Sequence, residues 1–180
     1  MTKHVRLHDK DFSLFISSDK ILKAVNKIAQ AIDVDYEGKE PVFLCILNGS
    51  FIFSADLVRE VKINGLTSFV KIASYESDKS TGKIRQLIGL NEELKGKDII
   101  IVEDIVDSGL SVLWLKEELG KMKVSSIKIA ALLFKPETCV KEAKPDYIGF
   151  NIKKEFVVGY GLDYNGLGRN LKEIYKQVNQ

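Results

Sequence analysis

The chain has 180 residues, 45% of them hydrophobic and 29% charged, which suits one globular domain with a full core and excludes a disordered chain. Its formal net charge of +2 is too small to mark a nucleic-acid-binding surface. Cys45 and Cys139 stand far apart with no Cys-x-x-Cys, which argues against a structural zinc site and suits a reducing compartment; with no apolar run long enough for a bilayer, the expected location is the cytoplasm.

Residues 1–17 are short and mixed, and His4 and His8 read as surface histidines. Ser18 has the character of an N-cap, and Ile21, Val25, Ile28, Ala29 and Ile32 follow at helical spacing, ending near Asp33 to Gly38. Pro41 opens the apolar run Val42 to Leu47, the pattern of a strand buried on both faces. Asn48-Gly49-Ser50 ends it, and a helix is expected to about Val61 with Ala55, Val58 and Val61 inward. A strand, a glycine turn and a helix in that order form a possible anion cradle, although the same turn also serves plain geometry.

Leu66 to Tyr75 reads as another strand, and Ile84 to Leu90 as the next. Between them Glu76 to Lys83 holds no apolar residue, as a lid would and as a solvated hairpin loop would. Asn91 to Lys97 is a turn.

The stretch from Ile99 to Ser111 carries the chemistry. A buried strand, Ile99 to Val102, runs into two adjacent carboxylates, Glu103 and Asp104, and then into Asp107-Ser108-Gly109 at the start of a helix. Free N–H groups at a helix start bind anions, and Gly109 lets backbone approach a ligand closely. The carboxylates would repel a bare phosphate and suit sugar hydroxyls or a metal ion instead. Phosphate at one end and a diol or Mg²⁺ at the other describe a phosphorylated sugar. No Walker A pattern is present. The plainer alternative is a helix N-terminus with acidic residues favouring the macrodipole, but two carboxylates after four buried β-branched residues are costly unless they form a site.

Val112, Leu115, Leu119 and Met122 then form a helical stripe, with Trp114 expected in the core. Ser126 to Phe134 is a strand ending at Lys135-Pro136. A lysine there faces either the site, since ligands of open α/β sheets bind beyond strand C-termini, or solvent. Tyr147 to Asn151 and Phe156 to Tyr160 read as short strands, Gly161 to Gly168 as a turn, and Arg169 as the start of a final short helix. This alternation is the βαβ rhythm of a parallel sheet covered on both faces, and it gathers Asn48-Gly49, the acidic stretch and Lys135 on one edge.

Val102 to Ser111 (VEDIVDSGLS) resembles the phosphoribosyl diphosphate (PRPP) motif of type I phosphoribosyltransferases. More narrowly, the chain is similar to the hypoxanthine–guanine phosphoribosyltransferases of purine salvage over roughly residues 40–170, through Ser74-Tyr75 with Ser80 to Gly82, Leu133 to Pro136, Phe156 to Tyr160, and Gly161 to Asn165. The resemblance implies an α/β fold with a central, mostly parallel sheet flanked by helices, a small hood and a flexible lid. It implies one domain over 1–180, with a core at about 36–150 and a hood from 1–20 and 151–180. The implied reaction moves the 5-phosphoribosyl group of PRPP to N9 of hypoxanthine or guanine, giving IMP or GMP and diphosphate, with Mg²⁺ as cofactor. The implied partners are PRPP and a 6-oxopurine, without nucleic acid or membrane, in a homodimer or homotetramer.

Roles carry over by position. Glu103 and Asp104 are implied to hold the ribose hydroxyls directly or through Mg²⁺, and Asp107, Ser108, Gly109, Leu110 and Ser111 the 5′-phosphate. Asp107 matches the proton acceptor near purine N7, and Lys135 the donor to O6 that excludes adenine. Phe156 is implied to stack on the base, Ile105 to line its site, and the main chain of Val157 and Asp163 to meet the C2 edge; Asp163 also matches a Mg²⁺ ligand. Arg169 and Asn48-Gly49 are implied to hold the diphosphate, and Ser74 and Tyr75 belong to the lid. Relatives often carry Leu-Lys-Gly where this chain has Leu47-Asn48-Gly49, so the side-chain charge there is missing. Two other readings compete: an RNA-binding regulator built on the same fold, which would want a basic face, and a phosphoacceptor signalling domain, which would want an acidic pair after the first strand.

Overall fold

The computed structural model describes residues 4–74, 84–88 and 94–178. Tyr75 and the polar segment 76–83, expected to form the lid, lie outside them. The central sheet places β3 (Val42–Leu47) between β4 (Leu66–Ser74) and β6 (Asp98–Val106), followed outward by β7 (Ser126–Phe134) and β8 (Tyr147–Asn151). These five run parallel, and β5 (Ile84–Ile88) adds an antiparallel edge beside β4.

Both faces of this sheet are covered, which explains the unbroken apolar runs. Phe43, Cys45, Ile100 and Val102 pack against α1 (Ser18–Asp35) and α2 (Phe51–Glu60). Val42, Leu44, Ile99 and Ile101 pack against α3 (Leu110–Lys121) through Val112, Leu115 and Leu119. Each fully buried Leu or Ile contributes about 1.5–3 kcal/mol. The stripe expected on α1 is buried as read, whereas that on α2 needs correction. Phe53, Ser54 and Leu57 face inward, Ala55 is exposed, and Val58 and Val61 are half-buried, because the helix begins at Phe51 and its i, i+4 face falls on Phe53 and Leu57. Trp114 and Met122 are half-buried against the second cluster.

A second sheet has the order β1 (His4–Leu7), β2 (Lys10–Ile16), β10 (Ile174–Gln177), β9 (Val157–Val158), closed over Phe12, Val158 and Tyr175. It corrects two expectations. The mixed N-terminal segment is a hairpin, and the stretch after Arg169 is a strand rather than a helix. Leu171, Ile174 and Tyr175 mimic a helical stripe, but Tyr175 and Lys176 pair with β9 and residues 174–177 pair with β2.

The acidic strand also runs further than expected. It pairs with β3 only as far as Val102 but with β7 as far as Phe134, so Glu103 to Val106 remain in the strand with one neighbour. That half-open end lies at the C-terminal edge of the sheet, where open α/β sheets carry their ligands.

Candidate active site

Successive strand residues point to opposite sides, and the acidic pair is divided in this way. Glu103 lines a hollow of about 100 Å³ with Ile105 and the segment 106–112. Among the described residues, its Oε2 is buried without a hydrogen-bond partner. Burial, and then the charge of Asp104, raise its pKa well above the ordinary carboxylate range. An orphaned buried carboxylate is expensive, and hydroxyl groups or a cation would satisfy it. Asp104 is 8% exposed and lines a neighbouring cavity of about 200 Å³. Burial pushes its carboxyl up to about 6, against the opposing pull of the Ile105 N–H and the Arg169 charge.

The first hollow sits at the start of α3. Gly109 precedes the helix with φ +80°, and a Cβ there would collide with Ala143. Among the described residues no side chain caps this helix at Gly109, and the one side-chain bond to its leading N–H groups is from Leu110 N to Ser108 Oγ at 3.4 Å. Small residues, a left-handed glycine and free amides together suit an anion.

The second cavity is lined by Asp104, Ile105, Asp107, Lys135, Phe156, Val157 and Asp163, with Glu155 and Leu162. Lys135 Nζ donates to Asp107 Oδ2 at 2.6 Å, and the Thr138 hydroxyl donates to Oδ1 at 2.6 Å. Burial alone would raise the Asp107 carboxyl, but these two hydrogen bonds and the charges of Lys135 and Lys154 outweigh it and hold the group below its ordinary value. Phe156 is 42% exposed. Its ring is backed by Tyr164 edge-on at 5.6 Å, Phe12 at 6.1 Å and the Lys10 ammonium at 4.8 Å. None of those three lines the cavity.

A third group lies beside Asp104. Arg169 donates to the Gly161 carbonyl at 2.6 Å and pairs with Asp163 at 2.6 Å, while Asp163 also accepts from Gly166 N at 2.7 Å. Gly49 abuts the Asp104 carboxylate, and Gly161, at φ +101°, abuts the Gly49 carbonyl; a Cβ on either would collide. Asn48 is exposed at the turn after β3, and the Leu47–Asn48 peptide is cis.

The structure therefore brings the acidic stretch, Lys135, Phe156, Val157 and Asp163 into two adjoining cavities, with Ile105 and Asp107 lining both, whereas Asn48, Gly49 and Arg169 line neither. Ser74 ends β4, and Tyr75 is outside the described residues. Glu103, Asp104 and Asp163 do not converge: among the described residues no three acidic, histidine or cysteine side chains cluster as a metal cage. Three contributors went unread. Thr138 and Lys10 sit outside any motif, and only the folded turn and hairpin bring them to Asp107 and Phe156. Tyr164 lay within a quoted motif, but nothing in the sequence aimed it at Phe156.

Residues 17–165 match the family described as the phosphoribosyl transferase domain. A hypoxanthine-guanine phosphoribosyltransferase of Lactococcus lactis is 40% identical over 162 residues, spanning 89% of this chain and 88% of that protein. A solved hypoxanthine-guanine phosphoribosyltransferase from Bacillus anthracis superposes with a TM-score of 0.87 at 38% identity, covering 92% of this chain and 98% of the other. A hypoxanthine phosphoribosyltransferase from Staphylococcus aureus gives 0.87 at 33% identity over 92% and 90%.

Proposed function

The chain belongs to the phosphoribosyl transferase domain family, and we propose that it transfers the 5-phosphoribosyl group of PRPP to N9 of hypoxanthine or guanine, yielding IMP or GMP and diphosphate. The observation that carries this reading is the Lys135–Asp107 pair beside the exposed Phe156 ring, in a cavity that shares two lining residues with the anion hollow of α3. One substrate that is phosphate at one end and accepts a flat base at the other matches both.

In this reading the 5′-phosphate takes the N–H groups from Ser108 to Ser111, and the ribose hydroxyls satisfy Glu103 and Asp104. The base stacks on Phe156, its O6 accepts from Lys135, and Asp107 takes the N7 proton as N9 bonds to C1. The main chain at Val157 and Asp163 meets the C2 edge. Arg169 spends two of its five donors on Gly161 and Asp163 and keeps others for the departing diphosphate, where neutral Asn48 offers no charge. Displacement at C1 builds positive charge on the sugar, and carboxylates nearby stabilise it.

Mg²⁺ fits the donor set. The Glu103 oxygen, orphaned among the described residues, and the carboxylates of Asp104 and Asp163 are hard oxygen donors; as they do not converge, each would reach the ion singly, with waters and substrate oxygens completing its shell. When bound it would neutralise charge on the leaving diphosphate. The test is chromatographic: PRPP, Mg²⁺ and hypoxanthine with the protein should give IMP and diphosphate in equal amounts. Loss of base without equal diphosphate would refute the transfer.

A further inference from the structure

We propose that Thr138 is a positioning residue, holding one oxygen of Asp107 so that the other is presented to the incoming purine; this rests on the function proposed above. Among the described residues, two hydrogen bonds fix this carboxylate: Lys135 on Oδ2 and the Thr138 hydroxyl on Oδ1, both at 2.6 Å. The same hydroxyl lies 3.3 Å from the Asp107 carbonyl and 3.4 Å from the Lys135 carbonyl. It has one proton to give, and the shortest contact, to the charged oxygen, claims it.

The two partners differ in permanence. Lys135 is on a long, flexible stem, and the purine O6 competes for its ammonium. Once Lys135 turns to the base, Oδ2 is free to accept the N7 proton. The terminal torsion of an aspartate is broad and roughly two-fold, so an unheld carboxylate would sample misaligned poses. Thr138 prevents this because it is anchored apart from the substrate. Its own N–H and that of Cys139 donate to the Lys135 carbonyl at 3.3 and 3.2 Å, and Val140 N donates to the Ser108 carbonyl at 3.1 Å. The turn after β7 is thus fastened to the loop that carries Asp107.

The hydroxyl also sets the basicity of Asp107. The other groups acting on this carboxylate are Lys135 from the end of β7, Lys154 from the loop after β8, and the Cys139 thiol from the same turn as Thr138. None of these is altered by a change at Thr138, so its contribution can be isolated.

The experiment compares Thr138→Val, which keeps the shape without the proton, with Thr138→Ser, which keeps the proton. Thr138→Val should lower kcat by about 10–100-fold, as expected for losing a hydrogen bond to a charged group, with KM for PRPP changed less than about three-fold. Thr138→Ser should restore most of the rate, and the acid limb of the kcat/KM profile should move to higher pH in the valine variant alone. Carboxyl NMR titration of Asp107 in the free protein reads the same bond without turnover, and its midpoint should rise in Thr138→Val. Equal impairment by Val and Ser, or an unmoved midpoint, would overturn the positioning role. A wild-type protein that makes no nucleotide would overturn the proposed function instead, and the NMR titration would still decide whether Thr138 holds Asp107.

Discussion

Lys135 Nζ and Asp107 Oδ2 lie 2.6 Å apart in the cavity where Phe156 offers its ring, and the lysine is the more enclosed of the two, at 12% side-chain exposure against 49%. Each charge satisfies the other while the cavity is free of base. Under the proposed function, a purine that enters would replace both halves of the pair, giving an acceptor to Lys135 and a proton to Asp107. A 6-oxopurine with hydrogen on N7 does both. Adenine turns an amino group toward the lysine and leaves a part-buried ammonium unpaired.

Asp107→Asn removes the proton acceptor while keeping the shape. Turnover should fall about 10²–10⁴-fold, the usual worth of a positioned general base. KM for PRPP should change little, because in the proposed function main-chain N–H groups hold the phosphate. Equal losses in kcat and PRPP affinity in steady-state kinetics would contradict the base role.

Lys135→Ala should reduce the kcat/KM preference for hypoxanthine over adenine by roughly 10-fold or more, the share of one charged hydrogen bond. Competition between the two bases for limiting PRPP measures it. An unchanged preference would place the selection elsewhere.

Asp104 links stability to pH. Its carboxyl stands at about 6 in the folded protein against an ordinary 3.8. A raised value means that stability is fully present below the ordinary value and is lost as pH rises through about 6, by up to about 3 kcal/mol. Asp104→Asn cannot ionise. Its melting temperature should match wild type near about pH 3.5 and exceed it increasingly up to a plateau above about pH 7. A gap that does not vary with pH would contradict the burial argument.

Gly49→Ala should destabilise the protein by about 1–3 kcal/mol, because the new methyl group meets the Asp104 carboxylate and one of them must move. KM for PRPP should rise with it. Gly120→Ala is the control: it lies in α3 with open space around it and should stabilise by about 0.5–1 kcal/mol. Thermal unfolding of both variants is the measurement.

Much of this was legible in the chain. Val42 to Leu47 and Ile129 to Phe134 read as strand because a parallel sheet covered on both faces leaves these residues no polar position. The hollow at the start of α3 was legible as a candidate anion site because small residues and a glycine preceded an amphipathic stripe. The end of β6 was misread at Val102, since charged residues inside a strand look like a stop, and only the pairing with β7 shows that the strand continues. Strands β1, β2 and β10 of the second sheet were hidden because four- to seven-residue segments carry too few periods to tell strand from helix. Thr138 and Lys10 were invisible for a different reason: their partners are distant in sequence, and nothing local marks the contact.

The most direct test of the central claim is one rate comparison. The protein is incubated with PRPP, Mg²⁺ and, in separate reactions, hypoxanthine, guanine, xanthine and adenine, and formation of each nucleoside 5′-monophosphate is followed. The account predicts rapid IMP or GMP formation and little AMP. Nucleotide formation from none of the four bases, or from adenine as readily as from hypoxanthine, would contradict it.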